Sequence, residues 1–362
     1  MSLVTTQHTL QERARVRAMP STLVQFARRA VKEEAPHCNH ILLNTRNPLP
    51  TGEVTRTRHS RESGSECIVN FIPLNDLRHI NKFLESVNEQ LPPKGFFAGV
   101  VETAQTREAR LRASLPSSIK KPYLFFDYLI KRVWPKLPFF RRLFFFITKG
   151  HNRVISEMET YGRLYSCGFR LIESEEINGK LHFVAQKIKE PDYNPEASYG
   201  PLIKLRRIGK NGKLVKVYKQ RTMSPYSEYV QSLIYEWNGL GDGAKFKDDP
   251  RITAVGSFMR KYWLDEIPML FNLLRGEVKI FGVRPISQHY LSLYPPEFQE
   301  FRNQFKPGLI PPLCIEVPSN MEEIVEIEKR YLEAYEKNPL RTDIRYTLKA
   351  LHSIFIKKVR SH

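Results

Sequence analysis

The chain is poor in cysteine. Cys38, Cys67, Cys167 and Cys314 are scattered over 362 positions, and no C-x-x-C pair occurs. That argues against a disulfide framework or a cysteine-held metal, and for reduced thiols in a cytosolic compartment. Ten histidines show no H-E-x-x-H or paired spacing, which argues against catalytic zinc. A Walker-type loop and a G-x-S-x-G elbow are both missing, so P-loop nucleotide binding and serine-hydrolase chemistry drop out. No stretch supplies the ~20 apolar residues that a spanning helix needs. Arg13, Arg15 and Arg17 stand near the start without the apolar run of a secretory signal behind them.

Acidic residues are also in short supply. Asp and Glu total 38 against 57 Lys and Arg, a net charge of +19. Such a surplus favours anionic partners: a membrane surface, nucleotide phosphates or nucleic acid. Neither zinc-finger spacing nor an RNA-binding aromatic signature accompanies it, so no nucleic acid is expected. A hydrophobic fraction of 41% supports packed cores. The length suits two domains.

Residues 1–65 read as a basic segment without clear definition. Leu23, Phe26, Ala27 and Ala30 can form one helical face, and Pro48, Pro50, Gly52 and Gly64 punctuate the stretch after it. From Glu66 to residue 190 the pattern sharpens. Cys67 to Ile72 reads as a buried strand. Asp76 can cap a helix carrying Leu77, Ile80, Phe83, Leu84 and Val87, which Pro92 and Pro93 end. Gly95 to Val101 is the next strand, completing a βαβ unit. Asn178-Gly179, between the apolar runs Gly168–Ile172 and Leu181–Ala185, signals a hairpin. This arrangement resembles the C-terminal half of a class I methyltransferase fold, a partial Rossmann-like domain. The glycine-rich cofactor loop is absent, so a structural or docking role is expected instead of methyl transfer.

Inside that domain lies a helical insertion at 122–150, PYLFFDYLIKRVWPKLPFFRRLFFFITKG. Aromatics and Leu/Ile alternate with Lys131, Arg132, Lys136, Arg141 and Arg142, and Pro135 and Pro138 break the run. A basic, aromatic, broken amphipathic segment suits a membrane interface. A helical hairpin packed on the sheet fits the same pattern.

Asp249 to Pro285, DPRITAVGSFMRKYWLDEIPMLFNLLRGEVKIFGVRP, sets adjacent carboxylates, Asp265 and Glu266, among Arg251, Arg260, Lys261, Arg275 and Arg284. Pro268 suits a helical first turn and Gly276 a helix end. The acids would then sit just before a helix whose positive end faces them. On physical grounds alone this is an ordinary helix start.

The order of blocks adds to that reading. D-P-R-I-T, R-x-x-x-x-D-E-x-P, L-R-G-E and G-V-R-P resemble the bacterial sugar transferases, and within them the monotopic polyprenol-phosphate phosphoglycosyl transferases. Gly200–Met223 resembles the opening of the same domain, Phe305–Pro312 its K-P-G-L segment and Asn338–Leu351 its final helical segment. The resemblance covers about 199–358 and implies an α+β catalytic domain there, hence an α/β protein overall. It assigns Asp265 as nucleophile, forming an aspartyl phosphosugar intermediate. Glu266 would bind Mg²⁺ or handle the acceptor's proton. Arg207, Lys219, Arg221, Arg260, Arg284 and Pro285 fall at the family's substrate-binding positions, where guanidinium groups suit a diphosphate. Two departures stand out: Leu205 replaces a usual Gln, and Val283 the first Pro of G-P-R-P.

The resemblance implies transfer of a sugar 1-phosphate from a UDP-sugar to polyprenol phosphate, the first step of exopolysaccharide assembly. The site would work at the cytoplasmic face of a bacterial inner membrane, attached peripherally to its anionic surface. A catalytically silent nucleotide-sugar-binding scaffold is the alternative. Retention of both carboxylates speaks against it. A homo-oligomer is compatible with the sequence. The family's re-entrant anchor helix is replaced by a polar linker, IKEPDYNPEAS, at Ile188–Ser198. Either the insertion 122–150, the C-terminal helix or a partner would then supply attachment. That last helix, from about Thr342, carries Ile344, Leu348, Leu351, Phe355 and Ile356, expected toward a core, with Lys349, Lys357, Lys358 and Arg360 on its solvated face.

Overall fold

The computed structural model describes residues 21–49, 66–194, 199–238, 249–316, 318 and 320–355. The chain mixes helix and strand, as an α/β reading requires, and falls into two units. The first runs to Tyr199 and includes Pro225–Gln231. The second holds Gly200–Ser224 and continues from Ser232.

In the first unit, β1 (Asn39–Leu43), β2 (Glu66–Asn70) and β3 (Phe96–Val101) run parallel. Every residue of β2 and β3 is buried, which is why they appear as unbroken apolar runs in place of alternation. Then β4 (Phe169–Ile177) and β5 (Lys180–Lys187) form the expected hairpin. Asn178 and Gly179 both take positive φ, 53° and 70°, as a type I′ turn requires. β5 enters between β3 and β4, antiparallel to both, giving the order β1-β2-β3-β5-β4. The sheet therefore begins upstream of Glu66. Helix Ser21–Val31 buries Leu23, Phe26, Ala27 and Ala30 in one core with Cys67, Val69, Phe96 and Val184. All four cysteines are free thiols.

One expected cap is not made. The helix after β2 is Ile80–Gln90, with His79 at its N-cap and no side-chain cap bond. Pro73 instead opens a short 3-10 turn, Leu74–Asp76. The Asp76 carboxylate accepts from the Asn152 N–H at 2.9 Å, tying down a distant loop. Leu91 leaves the helix in extended conformation, ahead of Pro92 and Pro93.

The insertion forms helix Ser117–Tyr128, a π turn at Leu129–Val133, a 3-10 turn at Trp134–Lys136 and helix Pro138–Thr148. Pro138 occupies the first turn of its helix, where its missing N–H costs nothing. Packing on the unit accounts for Phe144, which is buried. Helix Ser117–Tyr128 buries no residue. The linker residues 188–194 take no regular structure. Among the described residues no helix is long and apolar enough to cross a membrane.

In the second unit, β6 (Leu202–Ile208) and β7 (Leu214–Gln220) pair as an antiparallel hairpin. A parallel pair, β8 (Lys279–Phe281) and β9 (Gly308–Ile310), joins the G-V-R-P and K-P-G-L blocks. Their glycines meet: a Cβ on Gly308 would stand 2.1 Å from the Gly282 nitrogen. No other residue fits there. Helices Pro296–Asn303, Met321–Lys337 and Pro339–Phe355 come after. Phe281, Val283, Tyr294, Phe298, Tyr331 and Leu332 belong to the core of this unit.

The last helix departs from expectation. Leu340, Ile344, Leu348 and Leu351 are exposed, while Thr342, Ala350 and Ser353 are buried. Small and polar residues allow close approach on the packed side, so the apolar stripe faces outward. Ile356 and the basic residues beyond it lie outside the described residues.

Arg302 and Glu328 make a buried ion pair at 2.7 Å, with side chains 2% and 1% exposed. The Tyr294 hydroxyl also donates to Glu328. Breaking such a pair strands a buried charge and costs about 3–5 kcal/mol, whereas an apolar replacement of both partners is often neutral. Arg302→Met should therefore lower stability by about that amount. The double variant Arg302→Met/Glu328→Leu should recover most of it, as read from chemical-denaturation midpoints.

Candidate active site

The site starts where β7 ends. Thr253 caps helix Ala254–Lys261, its hydroxyl accepting from the Gly256 N–H at 2.9 Å. The Thr253 N–H in turn donates to the Thr222 carbonyl at 3.0 Å. A Cβ on Gly256 would stand 1.9 Å from that carbonyl oxygen, so the helix can lie against the strand exit only with glycine there. Arg260, in the last turn, donates through Nε to Thr222 Oγ1 at 3.0 Å. Asp249 and Arg251 form a buried bidentate pair beside it.

Trp263, at φ 59°, turns the chain into a 3-10 segment, Leu264–Met269. The sequence reading put the carboxylates before a helix started by Pro268. Instead both lie within the 3-10 segment, Pro268 is inside it, and the α-helical turn is Leu270–Leu274. The Glu266 N–H reaches back to the Trp263 carbonyl, which fixes the tighter winding. Gly276 ends the helix at φ 68°, as expected. With three residues per 3-10 turn, neighbouring side chains diverge by about 120°. Asp265 and Glu266 therefore point apart.

Both are buried, at 6% and 8% exposure. Glu266 Oε1 accepts from Lys219 Nζ of β7 at 2.5 Å. Asp265 Oδ1 is buried without a hydrogen-bond partner among the described residues. An unmade buried acceptor costs about 1–3 kcal/mol, so it calls for a reason. Burial raises the Asp265 carboxyl above its ordinary value. Lys219 opposes this, Glu266 adds to it, and Arg260 opposes it more weakly.

Asn272 sets the Lys219–Glu266 contact. It is fully buried. Its Nδ2 donates to the Lys216 carbonyl at 2.8 Å and to Glu277 at 2.6 Å, and its Oδ1 accepts from the Tyr218 N–H at 3.0 Å. The helix behind the carboxylates is thus bonded to the strand that carries Lys219. Sequence reasoning passed over Asn272. The signal was there: an amide inside the apolar run LFNLL must be bonded if buried.

Arg284 is exposed and Pro285 buried. The Arg284 carbonyl accepts from Arg302 Nη2 at 2.6 Å, so the buried Arg302–Glu328 pair holds the G-V-R-P backbone. The Ile208 N–H donates to the Ile286 carbonyl at 2.9 Å, bringing Arg207 alongside. Burial, then the Arg284 charge, pull the Arg207 guanidinium below its ordinary value. Arg260 is also pulled down, first by burial, with Arg251 and Arg284 repelling it and Asp265 and Asp249 attracting it. The structure thus brings Asp265, Glu266, Lys219 and Arg260 together, with Arg284 and Arg207 adjoining. Arg221 lies at the entry to β6, where its Nε donates to the Gly200 carbonyl at 2.8 Å. Cys314 also borders the site. Burial pushes its thiol up to about 12, Glu266 adding and Arg284 opposing, so it stays unreactive.

Among the described residues no group of three or more His, Cys, Asp or Glu gathers around a metal position. The two carboxylates point apart, so the candidate donor is one of them, Glu266. Hard Mg²⁺ takes one or two carboxylates, keeps several waters and accepts substrate phosphate, so a single carboxylate fits it. Ile267, Leu270, Phe271 and Leu274, on the same turns, are exposed apolar residues.

Residues 196–357 match the family model described as bacterial sugar transferase. The exopolysaccharide production protein ExoY of Sinorhizobium fredii is 41% identical over 109 residues, 29% of this chain and 48% of its own length. The undecaprenyl-phosphate galactose phosphotransferase of Salmonella typhimurium is 39% identical over 112 residues, 29% of this chain and 23% of its own. The galactosyl transferase CpsE of Streptococcus agalactiae is 32% identical over 162 residues, 43% of this chain and 35% of its own. The chain spans less than half the length of each of these relatives. The resemblance carried by the sequence blocks is thereby shown for this half.

The raised Asp265 pKa has a sign. Folding favours the protonated carboxyl, so the ionised form costs stability at neutral pH. Asp265→Asn should therefore be more stable than the parent at pH 7. That advantage should shrink as pH falls through the folded pKa and level off below the ordinary value of 3.8. Denaturation midpoints of both proteins across this range check it; an Asp265→Asn protein less stable at pH 7 would contradict it.

Proposed function

We propose that the second unit moves a sugar 1-phosphate from a UDP-sugar to polyprenol phosphate and releases UMP. The observation that carries this is the buried, unbonded Asp265 Oδ1 beside Lys219 and Arg260, within a region matching the bacterial sugar transferases. Asp265 attacks the donor phosphorus that bears the sugar. The bond to UMP breaks, and an aspartyl phosphosugar forms. An acceptor phosphate oxygen then attacks the same phosphorus, the aspartyl bond breaks, and the carboxylate is restored. Arg207, Arg260 and Arg284 hold the diphosphate, since guanidinium binds phosphate oxygens bidentately. Lys219 and Arg221 extend that basic lining, and Pro285 stiffens the Arg284 loop. Glu266, turned away from Asp265, takes the acceptor's proton or would hold Mg²⁺. When bound, that ion supplies charge neutralisation on the diphosphate.

The exposed Ile267, Leu270, Phe271 and Leu274 suit an apolar acceptor chain. With such an acceptor, our reading is of a peripheral protein at the cytoplasmic face of a bacterial membrane that initiates exopolysaccharide synthesis. The Salmonella relative is named for undecaprenyl phosphate and galactose, which supports the substrate class. For the first unit we propose a partial, methyltransferase-like Rossmann sheet. Its support is the run of parallel strands closed by an inserted antiparallel one.

A UDP-sugar panel with polyprenol phosphate, read by UMP release, tests the reaction. Asp265→Asn should abolish turnover, and should lose the radiolabel that donor alone leaves on the parent protein. Glu266→Gln should lower turnover by about a hundredfold or more, within the usual range for acid–base groups. Normal turnover and label in Asp265→Asn would place the nucleophile elsewhere. Arg284→Lys keeps charge but loses the planar fork. A charge-assisted bond is worth about 1.5–3 kcal/mol, so activity should fall about ten- to a hundredfold, with parental rates as the contrary result.

A further inference from the structure

We infer that helices Ser117–Tyr128 and Pro138–Thr148 of the first unit form a docking face for an anionic lipid surface. Helix Ser117–Tyr128 has no buried residue at all. Arg107 anchors it, donating to Asp127 through Nε at 2.9 Å and Nη2 at 2.8 Å. A helix that contributed only to the fold would bury an apolar stripe. This one exposes its stripe: Ile119, Tyr123 and Phe126 recur at helical spacing, and Phe125 is 61% exposed. In the second helix, Phe144 turns inward while Leu143, Phe146 and Ile147 face out, Phe146 at 83% exposure.

Charge selects the occupant. Between 117 and 150 the acids reduce to Asp127, and that one is bound to Arg107. Lys and Arg recur throughout, with Lys121, Arg141, Arg142 and Lys149 exposed. A protein interface excludes lysine and charge from its centre. Here the cations interleave with the aromatics at nearly every turn. That suits the headgroup layer, where rings sink ~5–10 Å and long basic side chains reach back to the phosphates. Pro135 and Pro138 break the run, so it lies on a surface and does not cross one.

This face adds an attachment element to the peripheral location proposed above, and it stands on the first unit alone. Flotation of the full chain tests it, using phosphatidylcholine vesicles with and without phosphatidylglycerol at low and high salt. The parent should bind the anionic vesicles, at least tenfold more weakly without phosphatidylglycerol, and again more weakly at high salt. Phe125→Glu/Phe146→Glu alters only exposed positions. It should keep the parental denaturation midpoint and lose at least tenfold in vesicle affinity. Asp265→Asn should float as the parent does, so a failed reaction and a failed docking face are read separately. If the parent does not bind anionic vesicles, or the double variant binds like the parent, this face is not the lipid surface.

Discussion

One ammonium group serves two buried carboxylates. Lys219 bonds Glu266 at 2.5 Å and is the strongest charge opposing the desolvation of Asp265. Remove it, and two acids would share one turn out of water without a direct ionic partner. The geometry around it reads as a set of devices that keep this contact in place. Asn272 stitches the following helix to β7, so the strand cannot slide past the turn. Gly256 lets the next helix press onto Thr222, which sets Arg260 on the far side. Each device uses backbone groups that would otherwise need partners of their own.

A second anchor works at longer range. The Arg302–Glu328 pair is as buried as any in the second unit, and its spare Nη2 bond goes to the Arg284 carbonyl. Buried ion pairs contribute little net stability compared with apolar packing. Here the pair also fixes a backbone whose side chain, Arg284, stays exposed. Burying it thus secures a loop that carries a cation to the site.

The sequence carried those features whose cause is local. Asn178-Gly179 turned because both residues accept positive φ. The glycines of G-V-R-P and K-P-G-L stood out as blocks, and the structure supplies the reason: their backbones touch. Features with a distant cause were misread. Asp76 resembled a cap, but its partner is Asn152, beyond the reach of any local pattern. Ile344, Leu348 and Leu351 have a core helix's spacing, yet Thr342, Ala350 and Ser353 take the packed side. Periodicity finds a stripe and cannot say what covers it. The carboxylates were found by motif, while their setting in a 3-10 turn rests on Trp263 adopting a left-handed conformation, which no composition signals.

The charges around the site carry the last step. Four cations, Lys219, Arg207, Arg260 and Arg284, stand against Asp265 and Glu266. Asp249 and Arg251 cancel one another. The cations outnumber the acids, and the arginines register it: burial holds Arg207 and Arg260 below their ordinary values, with Arg284 repelling both. A diphosphate brings two negative charges. It would relieve the repulsion among the guanidinium groups, and those same groups would shield Asp265 from it. A neutral sugar would leave the whole surplus uncompensated. That balance favours an anionic ligand over a neutral one before any contact to a base or sugar is considered.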